Sequence, residues 1–205
     1  MRNQERAWDK LYSKKLEWHY ETKIPSDIKL RGKSVLEIGV GTGKTLRALI
    51  GRRAKEIVAI DNSKEAAKMM KKQFSDKVKI VEMDVRNMSF ENNSFDVIFC
   101  YYVLNNMLKK DREKAVKEMR RVLAKKGKVY FEDFAKGDLR SENGKKIEKN
   151  TFEKENGLIC HFFTDKEISD LFDKIGSVSM KTKTFKPFRA INKERMIIKA
   201  IIRRD

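Results

Sequence analysis

Residues Val35-Leu36-Glu37-Ile38-Gly39-Val40-Gly41-Thr42-Gly43-Lys44-Thr45 set three glycines at alternate positions directly behind a short apolar run. The run reads as a buried strand, and glycines that follow it permit a tight turn and a close approach of backbone to a ligand where any Cβ would collide. A strand, a glycine turn and then a helix, signalled by Leu46, Leu49 and Ile50, make half of a βαβ unit. The chain must supply a parallel partner for that strand.

It supplies several. Ser34 to Ile38, Ile57 to Ile60, Val78 to Val81, Phe95 to Tyr102 and Val129 to Phe131 are apolar runs. Helical patterns separate them, including Ala66, Ala67, Met70 and Phe74, then Ala115, Val116, Met119, Val122 and Leu123. Strands alternating with helices of this length predict a parallel sheet with helices on both faces. Thr164-Asp165-Lys166-Glu167 is a capping box opening a further helix through Ile168, Leu171, Phe172 and Ile175, stopped by Gly176. Ser177 to Phe185 and Arg195 to Ile202 flank Lys186-Pro187-Phe188 too closely to hold a crossover helix, so they pair antiparallel. The expected fold is α/β: a doubly wound, Rossmann-like, seven-stranded, mostly parallel sheet ending in a C-terminal antiparallel hairpin.

Residues 1–205 read as one domain, since 40% hydrophobic residues suffice for a core of this length. Residues 1–33 form an N-terminal helical segment with Trp8, Leu11, Tyr12 and Leu16 on one face. About 30 residues from Asp133 to Phe163 show no clear period, and long loops of that kind in compact domains usually cover or bind something.

Three ligand classes use glycine-rich turns after a strand. A P-loop needs G-x-x-x-x-G-K-[ST]; Gly43-Lys44-Thr45 supplies its end, but its first glycine falls at Ile38. The dinucleotide pattern G-x-G-x-x-G puts its third glycine at Lys44. The E-x-G-x-G-x-G spacing suits S-adenosylmethionine (SAM), which carries no phosphate and whose cationic methionine end calls for a carboxylate. Glu37 serves that end directly or through water, and Gly39, Gly41 and Gly43 make room for the amino acid and ribose. Asp61, after the second strand, is placed to accept from ribose hydroxyls, with Asn62 and Ser63 beside it. Asp84, after the third strand, is placed to accept from the adenine amino group, with Met83 and Val85 as apolar walls. Three acids at successive strand ends converge on one crevice, because ligands of open α/β sheets bind at the carboxyl ends of the strands.

Forty-eight Lys and Arg against 30 Asp and Glu give a formal charge of +18. That charge draws a polyanion such as RNA; it equally describes the solvated lysine-rich surface of a heat-adapted protein. The longest apolar run, Val97 to Leu104, is far below the roughly 18 residues of a membrane span, so no membrane association is expected. Two cysteines, Cys100 and Cys160, and a polar start, Met1 to Arg6, place the chain in the reducing cytoplasm. With His19 and His161 these cysteines make no pair at zinc-ligand spacing, and no metal is expected. Trp18, His19 and Tyr20 either gate a planar acceptor or pack in the core.

Together VLEIGVGTGKT, IVAIDNS, VEMDVRN, SFDVIFCYYVLNNM and EMRRVLAKKGKVYFEDF resemble the class I SAM-dependent methyltransferases over roughly residues 34 to 134. The resemblance implies SAM as methyl donor, S-adenosylhomocysteine as product, and Tyr101 with its neighbours on the methyl-transfer face. A narrower resemblance, in AWDKLYSKK, in the run from Tyr102 to Arg140 and in NTFEKENGLICHFFTDKEISDLF, is to the tRNA 3-methylcytidine methyltransferases. It implies that residues 133–163 form an acceptor-side cap, with Asp133, Asp138, Arg140, His161 and Phe163 near the acceptor. That family carries an arginine where Glu132 stands here, and its N-terminal extension is longer.

The reaction is an in-line displacement at a methyl carbon, for which positioning supplies most of the catalysis. Where the acceptor nitrogen carries a proton, Asp133, Glu132 and His161 are the candidate bases on placement; His161 is also readable as a packed cap residue. The acceptor is tRNA or another RNA held by the basic surface, or else a small molecule or protein side chain, and the protein is a monomer or a homodimer.

Overall fold

The computed structural model describes residues 2–14, 24–141, 143–186 and 194–205. Trp18, His19 and Tyr20 lie outside the described residues, as do Leu16, Pro187 and Phe188. In chain order the elements are α1 (Arg2–Tyr12), β1 (Ser34–Ile38), α2 (Lys44–Leu49), β2 (Glu56–Asp61), α3 (Lys64–Phe74), β3 (Lys79–Glu82) and β4 (Phe95–Tyr101). A 3-10 turn at Leu104–Asn106 leads to α4 (Lys109–Val122), β5 (Leu123–Phe134), β6 (Lys145–Glu148), β7 (Thr151–Glu153), β8 (Ile159–His161), α5 (Asp165–Phe172), β9 (Gly176–Phe185) and β10 (Arg195–Arg204).

Seven strands form one sheet in the order β3-β2-β1-β4-β5-β10-β9. The first five are parallel, and β10 runs antiparallel to both β5 and β9, as the short link between the last two strands requires. The strand order reverses between β1 and β4, which opens a crevice above their carboxyl ends. Every residue of β1 is buried, Glu37 included, so this strand is covered on both faces.

On one face Leu36, Ile38, Ile98, Phe131 and Ile198 pack under Met119 of α4 and Phe172 of α5. Phe131 sits at the centre, its ring 5.6 Å from that of Phe163 and 5.2 Å from that of Phe172. On the other face Leu46 of α2 and Met70 of α3 cover Ala59 and Ile80. Ile24, Ile28 and Leu30 cover Val35, Val97 and Phe99 on the same side. Burying such side chains stabilises by about 1.5–3 kcal/mol each. The capping box at Thr164 is formed in both directions.

Two expectations are corrected. Residues 133–163 are not a structureless loop: Asp133 and Phe134 complete β5, and β6, β7 and β8 form a small antiparallel sheet. Phe152 stands opposite Cys160 across β7 and β8, and with Phe162 they make a separate core against Phe134. Strands of three and four residues are too short to show a period. Among the described residues of 1–33, helix covers only α1, which ends at Tyr12, and residues 24–33 hold turns and no helix.

Candidate active site

The crevice is floored by Ile38, Gly39 and Ile60 at the ends of β1 and β2. Asp61 and Asn62 follow on one side, Met83, Asp84 and Val85 after β3 on another, and Tyr102, Val103, Asn106 and Met107 after β4 on the third. Gly39 turns the chain at φ 76°, and a Cβ there would stand 2.4 Å from Cγ2 of Val103. The loop thus presses against the residues after β4 with no room for a side chain.

Asp61 is nearly buried and holds the turn in place. Its Oδ2 accepts the Gly41 N–H at 2.9 Å and its Oδ1 the Ser63 N–H at 2.9 Å. Burial, with Asp9 adding to it, pushes its carboxyl up to about 6 against these N–H donors. Glu37 lies below the turn, fully enclosed, and burial together with nearby Asp61 raises its carboxyl well above the usual range. The backbone of Leu46 donates to this carboxylate, and its Oε2 has no hydrogen-bond partner. Asp84 faces the crevice but is also bidentate to Arg86, whose Nη1 is 3.1 Å from Asp111. Burial raises the Asp84 carboxyl, but the Arg86 hydrogen bonds outweigh it and hold it below its ordinary value.

Helix α1 roofs the crevice. Gln4, Trp8 and Tyr12, spaced i, i+4 and i+8, turn one face toward it. The Gln4 amide donates to the Gly157 carbonyl at 2.6 Å and accepts the Ile159 N–H at 3.0 Å, which ties the helix to the small sheet. At its other end Asp9 accepts from the Ser63 hydroxyl at 2.6 Å. Trp8 stacks on Tyr12, and the Tyr12 hydroxyl stands 2.8 Å from where a Gly41 Cβ would be.

The structure therefore brings together Gly39, Asp61, Asn62, Met83, Asp84 and Val85. Gly41 and Gly43 do not line the crevice: Tyr12 lies against the first, and the space beside the second is taken by Met70, whose Sδ would be 2.5 Å from a Cβ. Tyr101 points the other way, its ring edge-on to Phe99 at 5.7 Å. Its neighbour Tyr102 takes the expected place, at φ 58°, with its hydroxyl on Glu132.

Asp133 and His161, expected near the acceptor, are both wholly buried and line no part of the crevice. Asp133 accepts the N–H groups of Asn105 and Phe134, and burial pushes its carboxyl up to about 8. His161 shares a 2.7 Å hydrogen bond between Nδ1 and the Thr151 hydroxyl, with Nε2 3.5 Å from Glu167, and burial lowers its basicity. Asp138 is likewise buried, bonded to Arg140 and Arg195. The roof residues escaped the sequence reading, and Tyr102 entered it only as a neighbour of Tyr101. Only the i, i+4, i+8 spacing of Gln4, Trp8 and Tyr12 hinted at the roof.

Both cysteines are free and buried. Among the described residues there is no helix long and apolar enough to cross a membrane, and no cluster of three potential metal ligands.

A methyltransferase domain family model matches residues 36–131. A tRNA N(3)-methylcytidine methyltransferase of Drosophila melanogaster is 27% identical over 160 residues, 72% of this chain and 49% of that protein. A ubiquinone/menaquinone biosynthesis C-methyltransferase of Idiomarina loihiensis is 35% identical over 114 residues, 52% of this chain and 44% of that protein. The chain thus spans about half the length of these curated relatives. A SAM-dependent methyltransferase structure from Methanosarcina mazei superposes with a TM-score of 0.75 at 21% identity, covering 90% of this chain and 99% of that one. Residues 36–131 thus match a methyltransferase domain, and the chain has the Rossmann-like fold of the class I SAM-dependent methyltransferases.

Proposed function

We propose that the protein transfers the methyl group of SAM to a nitrogen of an RNA base, in tRNA. The observation that carries methyl transfer is the convergence of Gly39, Asp61 and Asp84 on one crevice at the strand-order reversal. The buried, unpartnered Oε2 of Glu37 behind the turn suits a cationic ligand above it, as the sulfonium and ammonium of SAM require. Asp61 would accept from the ribose, Met83 and Val85 would flank the adenine, and Asp84, beside its Arg86 contacts, would accept from the amino group. SAM, when bound, supplies an electrophilic methyl carbon.

The residues of this chain do the positioning. Tyr102, oriented by Glu132, faces the crevice from the acceptor side, and Gln4, Trp8 and Tyr12 of α1 cover it. RNA as acceptor is supported by the tRNA-modifying relative, whose similarity over 160 residues extends past the domain match, and by the charge of +18. A small-molecule acceptor is the second reading, favoured by the roofed crevice and by the higher identity to the quinone-modifying relative. Methyl-labelled SAM incubated with deproteinised RNA, small-molecule and protein fractions tests the two. Ribonuclease-sensitive label in the tRNA size range supports the first reading; label confined to small molecules overturns it.

A further inference from the structure

The register of β5, β10 and β9 sorts their residues onto two faces. The even-numbered residues of β10, Ile198, Ala200 and Ile202, point into the core under α4 and α5. The opposite face carries four cross-strand rows: Ser177, Arg203 and Lys128; Ser179, Ile201 and Tyr130; Lys181, Lys199 and Glu132; and Lys183, Ile197 and Phe134. Phe185 and Arg195 form a further pair at the end of the hairpin. Among the described residues, the apolar cluster on this side of the sheet stops at Tyr130. Along β9 Ser177, Ser179, Lys181, Lys183 and Phe185 are all exposed, Phe185 at 47%.

Five cations stand on these rows and a sixth, Arg195, on the end pair, against one acid, Glu132, with Asp27 at the border near Tyr130. Lys199 is spent on Glu132 and Arg195 on Asp138. Lys128, Lys181, Lys183 and Arg203 have no acidic partner among the described residues. Lys181 stands directly opposite Lys199, an arrangement that costs a sheet stability. Aromatic rings are set between the charges: Arg140 lies 3.7 Å above the Phe134 ring, which is 5.0 Å from that of Tyr102, and Arg195 bridges Phe134 and Phe185. The rows lead to the crevice, because Glu132 holds Tyr102 at its mouth.

We infer that this face of β5, β10 and β9 is the RNA-docking surface of the enzyme. Lysines spaced along exposed strands neutralise phosphates, and ring faces between them stack on bases in any sequence. A strand laid across the rows delivers a base to the crevice past Phe134 and Tyr102. This assignment rests on the reading of RNA as acceptor.

The test uses the full chain and total deproteinised tRNA, with Lys181→Gln, Lys183→Gln and Arg203→Gln combined. Three lost phosphate contacts should flatten the slope of log K against log salt by about 2. The tRNA Kd should rise about tenfold or more at moderate salt, with SAM binding and melting temperature retained. Exposed α3 lysines serve as the control in Lys64→Gln/Lys68→Gln/Lys71→Gln. Equal losses in both triple variants would mean diffuse attraction and overturn the surface. Wild-type labelling of tRNA with an unaffected β9–β10 variant overturns the surface alone. No labelling of RNA by the wild type overturns the acceptor reading and the surface with it.

Discussion

The carboxylate of Asp9 in α1 accepts a 2.6 Å hydrogen bond from the hydroxyl of Ser63, the residue that caps α3 and follows the crevice acid Asp61 by two positions. One side chain therefore fastens the roof to the β2 side of the crevice. Its neighbour contacts agree, since Asp9 also receives the Glu65 N–H at 3.3 Å. Hydrogen bonds to charged groups contribute about 1.5–3 kcal/mol. Asp9→Ala should weaken SAM binding roughly tenfold by calorimetry and lower the melting temperature only slightly, because α1 contributes little to the main core. Unchanged affinity would mean that the roof does not act on the cofactor.

The same acid sets a pH dependence. Asp61, raised by burial to about 6, must be ionised to accept from ribose hydroxyls at full strength. The share of SAM affinity that Asp61 supplies should therefore level off above pH 7 and fall as pH drops through 6. Because Asp9 helps to raise Asp61, Asp9→Asn should move the midpoint of that fall to lower pH. Titration of SAM binding in both proteins checks the order of the two midpoints.

Gly39 illustrates the steric demand of the turn. Alanine there combines a positive φ, costing about 1–3 kcal/mol, with a methyl 2.4 Å from Val103. Gly39→Ala should lose stability by both effects. Gly39→Ala/Val103→Ala should recover part of the loss, leaving the backbone share. Denaturant midpoints for the four members of the cycle give the coupling, and strict additivity would exclude the contact as the cause.

The fold was legible because its signals repeat: each strand is a separate apolar run and each helix has its own period. The crevice was legible for a related reason, since acids following strands come to one edge of a parallel sheet by topology alone. The acceptor side was not. Whether Tyr101 or Tyr102 enters the crevice depends on where β4 ends and the chain turns to φ 58°, which no residue pattern marks. Asp133 and His161 are polar residues at the expected end of the sheet, but the short strands of 145–161 close over them, and Phe152, Cys160 and Phe162 are too few to announce a second core.

That one-residue difference is measurable. Tyr102→Phe removes the hydroxyl bonded to Glu132 at the crevice mouth and should lower kcat/KM for the acceptor about tenfold, equivalent to about 1.4 kcal/mol of transition-state binding, with SAM affinity unchanged. Tyr101→Phe, its ring packed against Phe99, should change kcat/KM less than about twofold. The reverse ranking would restore Tyr101 to the transfer face.

Asp133 offers a stability test independent of any substrate. Its carboxyl is pushed to about 8 in the folded protein, against an ordinary value of 3.8. Below pH 4 it is protonated both folded and unfolded, and no penalty exists. Between 4 and 8 the folded form alone keeps the proton, so stability falls as pH rises, and above 8 the full cost of burying the charge is felt. At about 1.4 kcal/mol per unit the contribution is on the order of 5 kcal/mol. Asp133→Asn removes this titration but leaves one of two backbone N–H donors, from Asn105 or Phe134, without an acceptor, a cost of about 1–3 kcal/mol. The variant should therefore be less stable than wild type at about pH 4, draw level between about pH 4.5 and 6, and be the more stable of the two above pH 8. Asp61 and Glu37, raised in the same direction, are common to both proteins and cancel in the difference. Urea unfolding from pH 4 to 8.5 measures it, and a difference that stays flat above pH 5 would show that Asp133 is ionised throughout that range.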